Sequence, residues 1–377
     1  MDLIAAMGIS RRNFTALLGS SLLGGSLFSS TLLARGNETL FASASQTSRG
    51  LYELLIIDQQ GALRFRHALP ARSHHIAAHP QLPLLAAVGR RPETFIDIVN
   101  YQSKQLIQRI QSRQGQHFYG HAIFSPDGRY LISTENQMST GDGLIVVRDV
   151  HDNFNTIKQF SSAGIGPHEL KMMPNGRTLV IANGGIHTHP KQGREKLNLS
   201  TMQPSLAYID SLSGKLQEQV FLTTEHHQLS IRHLDVNSQG RVGIALQYQG
   251  DKLDDMPLVA FHSQGEAIRL VKAPTPINHA MKQYCGSIRF DQSGETVAVS
   301  SPRGDLITFW TQNGDYLNSI KTTDGCGLTA TSTKSCFLIS TGRGRFYHYD
   351  VSTKLKRRIS LELPKGIHWD NHLSNIS

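Results

Sequence analysis

Histidine returns at one position of a repeated sequence pattern, and these residues are the strongest candidates for chemistry. Each repeat, for example residues 120–129, 167–177 and 232–241, combines polar residues and a histidine with two strand-like runs and a turn. The repeated histidines are His75, His121, His168, His233 and His372. Neutral imidazole binds zinc, copper and iron, and three or four convergent imidazoles are enough to hold one ion. The repetition therefore predicts a transition-metal site.

Two carboxylates lie next to the repeated histidines in the sequence. Glu169 follows His168, and Asp370 comes shortly before His372. A carboxylate in such a place binds the metal itself or accepts a hydrogen bond that fixes the histidine tautomer. Glu169 and Asp370 are therefore predicted to belong to the site.

A long insertion and two cysteines supply further candidate ligands. Residues 183–198 show no strand alternation and contain His187 and His189, and long loops of this kind are usually functional or disordered. We expect this insertion to lie over the same face as the repeated histidines. Cys285 and Cys326 precede the two repeats that lack the histidine, where a thiolate could complete a site or bind copper.

Basic and polar side chains on the same face predict a site for a ligand with an anionic group. Arg194, Lys196 and Arg232 are expected to hold that group, because charged donors form strong hydrogen bonds with anions. The other residues predicted on this face are Glu135, Asn136, Trp369, Gln247 and Arg303, of which the first three are assigned to the ligand.

Short strands separated by turns must position these residues. Apolar runs such as residues 144–147, 179–182 and 306–310 are rich in β-branched and aromatic residues. Seven units follow one another at separations of 41 to 65 residues, starting near the five histidines and near Gly286 and Gly327. Repeats of this length predict an all-β fold, a seven-bladed β-propeller, in which the first strand of each blade lines a central channel.

The N- and C-terminal strands are predicted to close the ring together. The last unit has one strand within residues 367–377, and residues 51–57 and 63–66 read as its remaining strands, which removes exposed sheet edges. The repeated histidines then form a ring at one mouth of the channel, although structural hydrogen bonds between blades are an alternative role for them. Other histidines in polar settings, such as His74 and His262, are expected at the surface.

The first 44 residues read as an export signal, and residues 45–377 as the propeller domain. Arg11 and Arg12 form a twin-arginine signature, an apolar run follows at residues 16–33, and residues 42–44 read as a cleavage site. The pattern predicts a periplasmic protein without a stable membrane span in its mature form. A membrane anchor is the alternative interpretation, although glycines and serines interrupt the apolar run.

Charge, cysteine content and missing motifs exclude several classes of protein. The formal net charge is +9, but the basic residues are spread out and no basic run exceeds residues 356–358, so nucleic acid is not an expected partner. Three cysteines are too few for a disulfide framework. The sequence also lacks the motifs of serine hydrolases, phosphate-binding loops, zinc-protease helices and covalent haem attachment.

The repeated segments also resemble a known family of propeller proteins. The similarity rests on residues 120–129, 164–170, 182–190, 230–234 and 369–373 and covers essentially the whole chain after the export signal. Members of this family, which has no assigned activity, are exported by the twin-arginine route in proteobacteria. Their genes tend to lie beside those of imelysin-type, iron-regulated periplasmic proteins and a di-haem protein. The resemblance implies a periplasmic propeller in iron or copper handling, with these proteins as partners.

Three functional hypotheses follow from these observations. The first is a periplasmic propeller that binds iron or copper, or an iron-containing ligand, at a histidine-rich channel mouth during metal uptake or handling. The second is a metal-dependent hydrolase or redox enzyme, which requires an open metal position. The third is a non-catalytic scaffold that docks a periplasmic partner and uses its histidines structurally.

Overall fold

The computed structural model describes residues 39–193 and 195–376, and these residues form an all-β structure. Their strands assemble into seven antiparallel sheets. Neighbouring sheets contact one another through their first strands, and contacts between the last sheet and the first close the ring. The predicted seven-bladed β-propeller is therefore confirmed.

The strands follow the chain in order from blade 7 to blade 3. Strands two to four of blade 7 are β1 (Leu40–Gln46), β2 (Tyr52–Asp58) and β3 (Leu63–Leu69). Blade 1 comprises β4 (Ser73–Ala78), β5 (Leu84–Gly89), β6 (Phe95–Asn100) and β7 (Gln105–Gln111). Blade 2 comprises β8 (Gln116–Phe124), β9 (Tyr130–Gln137), β10 (Asp142–Asp149) and β11 (Asn155–Ile165). Blade 3 comprises β12 (Pro167–Met172), β13 (Thr178–Asn183), β14 (Ser205–Asp210) and β15 (Leu216–Phe221).

The remaining blades contain the only α-helix of the described residues. Blade 4 comprises β16 (Leu229–Val236), β17 (Val242–Tyr248), β18 (Val259–His262) and β19 (Arg269–Val271), and α1 (Thr275–Ala280) follows it. Blade 5 comprises β20 (Ser287–Phe290), β21 (Thr296–Ser301), β22 (Leu306–Thr311) and β23 (Tyr316–Lys321). Blade 6 comprises β24 (Gly325–Ala330), β25 (Cys336–Thr341), β26 (Phe346–Asp350) and β27 (Leu355–Ile359). The inner strand of blade 7 is split into β28 (His368–Trp369) and β29 (Ser374–Asn375).

Burial along each blade explains why the apolar runs became strands. Middle strands such as β5 and β13 are buried almost throughout, because the blades pack face to face around the ring. Fourth strands such as β7 and β15 mix polar with apolar residues and are mostly exposed or half-buried, because they lie at the outer edge of each blade. The long connection between β13 and β14 contains two 3-10 turns, at Pro190–Gln192 and Leu199–Thr201, and its described residues form no strand, as the lack of alternation predicts.

Blade 7 begins earlier in the chain than the predicted domain boundary. Strand β1 starts at Leu40, so the boundary at residue 45 falls inside a strand. Ala42 and Ala44, which read as a cleavage site, are buried in the core between blades 7 and 1. Strand β1 pairs with β2 on one side and with β28 and β29 on the other, so it joins the terminal segments of the ring. The predicted signal otherwise lies outside the described residues.

We expect that a chain starting at Ser45 is much less stable than one starting at Thr39. The shorter chain lacks Leu40–Ala44 of β1 and with it the buried side chain of Phe41. Loss of one buried aromatic side chain alone costs several kcal/mol, so the melting temperature should fall by about 10 °C. Circular dichroism melting of both chains measures this difference, and equal melting temperatures would show that β1 is dispensable.

None of the helices in residues 39–193 and 195–376 has the length and apolar character needed to cross a membrane.

Candidate metal centre

The inner strands of four blades carry a β-bulge where the repeated histidines occur. The pairing register shifts between Ser73 and His75 in β4, and between Ile231 and His233 in β16. Similar shifts in β8 and β12 span His121 and His168. A bulge removes side chains from the regular alternation of a strand and re-aims them. The repeated bulges therefore account for imidazoles that leave the blade interior and meet one another.

Six histidines meet in what we call the histidine cluster. Its members are His74, His75, His121, His168, His233 and His372. The ring centroids of His168 and His233 lie 4.6 Å apart, as do those of His121 and His372. Each member exposes 8% or less of its surface. The structure thus brings the five repeated histidines together, and blades 1, 2, 3, 4 and 7 contribute them.

His74 is a member of the cluster that the sequence placed at the surface, and this prediction was wrong. Its ring lies 4.5 Å from the ring of His372 and 5.1 Å from that of His121. The bulge in β4 lets both members of a consecutive pair, His74 and His75, enter the cluster. His262 is also buried, where its ring nitrogen lies 2.6 Å from the hydroxyl of Tyr208.

A glycine in the bulge of β8 leaves room for His74. Gly120 has a φ of 105°, a conformation that L side chains rarely adopt. A Cβ atom at this position would lie 2.8 Å from Cδ2 of His74. The glycine in the repeated motif is therefore required by both the backbone and the adjacent ring.

Two carboxylates orient cluster histidines from outside. Oδ1 of Asp370 lies 3.1 Å from Nδ1 of His74, and Oε2 of Glu169 lies 3.1 Å from Nδ1 of His233. A carboxylate only accepts hydrogen bonds, so Nδ1 of each imidazole carries the proton and donates it. The Nε2 atoms of His74 and His233 then keep their lone pairs, which is the form that binds a metal. Both carboxylates predicted for the site are thus found beside it, as hydrogen-bond acceptors.

Cationic side chains keep these carboxylates ionised. The guanidinium of Arg72 pairs with Asp370, and Arg289 and Lys171 lie 3.3 Å and 3.8 Å from Oε1 of Glu169. Burial alone raises the pKa of Glu169, but the neighbouring positive groups hold it well below its usual range. Burial acts to raise the pKa of Asp370 as well. The hydrogen bond from His74 and the charge of Arg72 outweigh this effect, so the pKa of Asp370 lies below its usual value.

Burial keeps the cluster imidazoles neutral. It lowers the pKa of His74 to about 4 despite the hydrogen bond to Asp370, and the pKa of His75 to about 3. Burial likewise lowers the pKa of His121, His168 and His372 well below the usual value, and that of His233 less. Only neutral imidazole has a lone pair for a metal, so the cluster holds its ligands ready at neutral pH.

The nitrogen positions fit a metal ion. Two triads, His74–His121–His168 and His121–His233–His372, each place one ligand atom per residue within 4.8 Å of the others. Nε2 of His74 and Nε2 of His372 are 3.3 Å apart. In a tetrahedral site with metal–nitrogen bonds of ~2.1 Å, ligand nitrogens lie about 3.4 Å apart. Small side-chain movements would therefore bring the three imidazoles of either triad onto one ion.

Several cluster nitrogens lack any other partner. Both ring nitrogens of His121 and the Nδ1 atoms of His75, His168 and His372 are buried without a hydrogen bond. Buried polar atoms normally find a partner, because leaving one unpaired costs free energy. Structural hydrogen bonds between blades, the alternative role for these histidines, thus occur at His74 and His233 but not at these nitrogens.

His187 and His189 do not reach the cluster, contrary to the prediction. The ring of His187 lies against Gly141, and His189 caps the 3-10 turn that follows it by accepting a hydrogen bond from the Lys191 amide. The chain is extended here, so successive side chains point in opposite directions. Ile186 and Thr188 consequently face the central cavity, and the two histidines do not.

Three predicted ligand-binding residues also lie elsewhere. Glu135 and Asn136 are inside β9 rather than on a loop, and Glu135 pairs with the buried Arg148 at 2.7 Å. Trp369 packs against Phe346 in the core, with ring centroids 5.0 Å apart. A fourth predicted ligand-binding residue, Arg194, lies outside the described residues.

The cysteines take no part in the cluster. The thiol of Cys285 faces the carbonyl of Leu258, and the thiol of Cys326 faces that of Asp370. Burial raises the pKa of each thiol to about 12, so both stay protonated. The groups of described residues that could hold a metal ion contain histidines and no cysteine, so the structure does not bring the suggested thiolate to the site.

A cavity of about 920 Å³ opens above the cluster. His74, His168 and His233 form part of its lining, so one side of the cluster can be reached from the cavity. Lys196, Arg232, Gln247 and Arg303 line it as the sequence predicts. Loops between the second and third strands of blades 1 and 4 add Arg90, Arg91 and Lys252, which the sequence analysis missed because no histidine motif marks them.

Comparison with known proteins agrees with this fold. Hydrazine synthase from Kuenenia stuttgartiensis superposes with a TM-score of 0.58, covering 85% of this chain and 95% of that chain at 14% sequence identity. At this identity the likeness concerns the fold alone. No curated protein matches the sequence. The model of the family described as proteins of unknown function, DUF1513, matches residues 67–376, and the chain therefore belongs to this family.

Proposed function

We propose that the protein binds a transition-metal ion, iron or copper, at the histidine cluster and acts in metal handling. The observation that carries this proposal is the convergence of six buried imidazoles, several of whose ring nitrogens have no other partner. A metal ion would give such nitrogens a partner, because neutral imidazole is a good ligand for transition metals.

The neutral nitrogen ligands of the cluster also support a transition metal. Glu169 and Asp370 are each neutralised by cations of the protein, and the imidazoles are neutral, so no free negative charge remains inside the cluster. An all-nitrogen ligand set of this kind suits copper, iron and zinc rather than magnesium or calcium. The resemblance of the sequence to proteins encoded beside iron-regulated genes favours iron or copper.

The location and partners belong to the same proposal. The twin-arginine signature at Arg11 and Arg12 supports export to the periplasm in folded form. An imelysin-type protein or a di-haem protein would then deliver or receive the metal.

A catalytic metal centre is the second candidate, and the open side of the cluster favours it. A structural metal site is enclosed by its ligands, whereas a catalytic site keeps one position for a substrate or water. His74, His168 and His233 border the cavity, so a small molecule can approach an ion held by the cluster. A metal-dependent hydrolase or a redox enzyme would need this arrangement.

Metal loading of the purified protein tests the proposal. The protein is freed of metal with a chelator, incubated separately with Fe²⁺, Cu²⁺ and Zn²⁺, and passed through a desalting column before elemental analysis. We expect iron or copper to be retained in stoichiometric amounts after the column. Retention of no ion under any loading condition would contradict the proposal and favour the interaction scaffold.

A further inference from the structure

The cavity above the histidine cluster carries a large excess of positive charge. Among its described lining residues, seven are lysine or arginine and one, Asp254, is acidic. The seven cations are Arg90, Arg91, Lys196, Arg232, Lys252, Lys282 and Arg303. Like charges in one cavity repel each other, so an anionic occupant would be stabilised there.

Arg232 is the most informative of these cations. Its Nε is buried without a partner, and no ion pair joins it to a carboxylate of the described chain. Gly184 leaves room for it, since a Cβ there would lie 3.1 Å from its NH1 atom. A half-buried guanidinium with an unpartnered, buried Nε and no counter-ion among the described residues indicates that a ligand supplies one.

The other cations surround Arg232 from different blades. Lys196 comes from the blade 3 insertion, where burial and the charges of Arg303 and Arg232 lower its pKa. Arg303 comes from blade 5 and stacks on Tyr284 at 4.1 Å from the ring centroid. Arg91 comes from blade 1 and donates to the hydroxyl of Thr188. The cations are thus spread around the wall rather than gathered at one point.

We propose that this cavity binds a small polycarboxylate anion and presents one of its carboxylates to the open side of the metal centre. Guanidinium groups bind carboxylates in a planar, two-point geometry, which Arg91, Arg232 and Arg303 provide. A tricarboxylate offers three separate anionic groups to cations that come from different blades, whereas phosphate concentrates its charge in one compact group. The ligation of the metal rests on the proposed function, but the binding of the anion to the basic wall does not.

Isothermal titration with tricarballylate tests the anion site in metal-free protein. We expect saturable binding that weakens by about 10- to 100-fold in the Arg232→Gln variant, because a charge-assisted hydrogen bond is lost. Lys196→Gln, at an exposed position, should weaken binding in the same direction even if the Arg232 variant folds poorly. Lys215→Gln is the matched control, since it removes the same charge from an exposed turn outside the cavity.

Two further measurements separate this proposal from the metal site. Inorganic phosphate should bind more weakly than tricarballylate, and equal or tighter binding would overturn the choice of a polycarboxylate. In copper-loaded protein, tricarballylate should shift the electron paramagnetic resonance spectrum. A protein that binds tricarballylate but retains no metal would contradict the proposed function while supporting the anion site. The anion site itself would be overturned if the wild type did not bind tricarballylate, or if both cavity variants bound it as tightly as the wild type.

Discussion

Replacement of His168 and His233 together by alanine is expected to abolish metal retention while leaving the propeller folded. His168 belongs to one histidine triad and His233 to the other, so the double variant breaks both. A site that keeps fewer than three of its imidazole ligands loses most of its affinity for a transition metal. Elemental analysis after metal loading measures the loss, and circular dichroism confirms that the blades remain.

The chain offers a matched control for this experiment. His187 and His189 are also histidines of the same face, but they lie outside the cluster. The His187→Ala, His189→Ala double variant should therefore retain as much metal as the wild type. If the cluster variant kept its metal, or if the control variant lost it, the ion would have to bind elsewhere.

Acid is expected to destabilise the metal-free protein before its carboxylates titrate. Burial lowers the pKa of all six cluster imidazoles in the folded state, whereas they regain their usual value of about 6.5 when the chain unfolds. The unfolded chain then binds more protons below that value, so the stability is complete above it and is lost as the pH falls. The melting temperature should drop steeply between about pH 7 and about pH 5.

The double variant of the cluster serves as the comparison for this pH dependence. It lacks two of the buried imidazoles, so its melting temperature should change less over the same pH range. Asp370 and Glu169 do not interfere, because their pKa values lie below the range. An equal acid sensitivity of the variant and the wild type would show that other groups dominate the effect.

The architecture could be predicted from the sequence because each blade repeats the same pattern of short apolar runs and turns. Alternating apolar runs and turns predict seven blades, and repeat equivalence alone predicts that His121, His168, His233 and His372 converge. Arg232 and Lys196, which were predicted to hold an anionic group, line the same cavity as His168 and His233. Equivalent positions in a closed ring must meet at its axis, so this part of the site needs no knowledge of side-chain detail.

Other members of the site depend on local backbone geometry that the sequence does not display. His74 enters the cluster through a bulge. Side chains within a bulge do not follow the regular alternation of a strand, so their direction cannot be predicted from the sequence pattern. His187 and His189 were misplaced because the direction of an irregular loop sets which of its side chains face inwards. The small residues Ala42 and Ala44 suit both a cleavage site and a tightly packed strand, and in the structure both are buried in β1.

The position of His372 in the last blade means that the cluster is completed late during synthesis and folding of the chain. Nε2 of this residue meets that of His74, and the two residues are 298 positions apart. A growing polypeptide therefore has no complete centre until nearly all of its blades have been synthesised. An ion held there would tie the earliest blade to the latest one, and a cross-link over so long a loop removes much conformational freedom from the unfolded chain. The bound ion would stabilise the closed ring, and its loss would weaken the contact between blades 7 and 1 first.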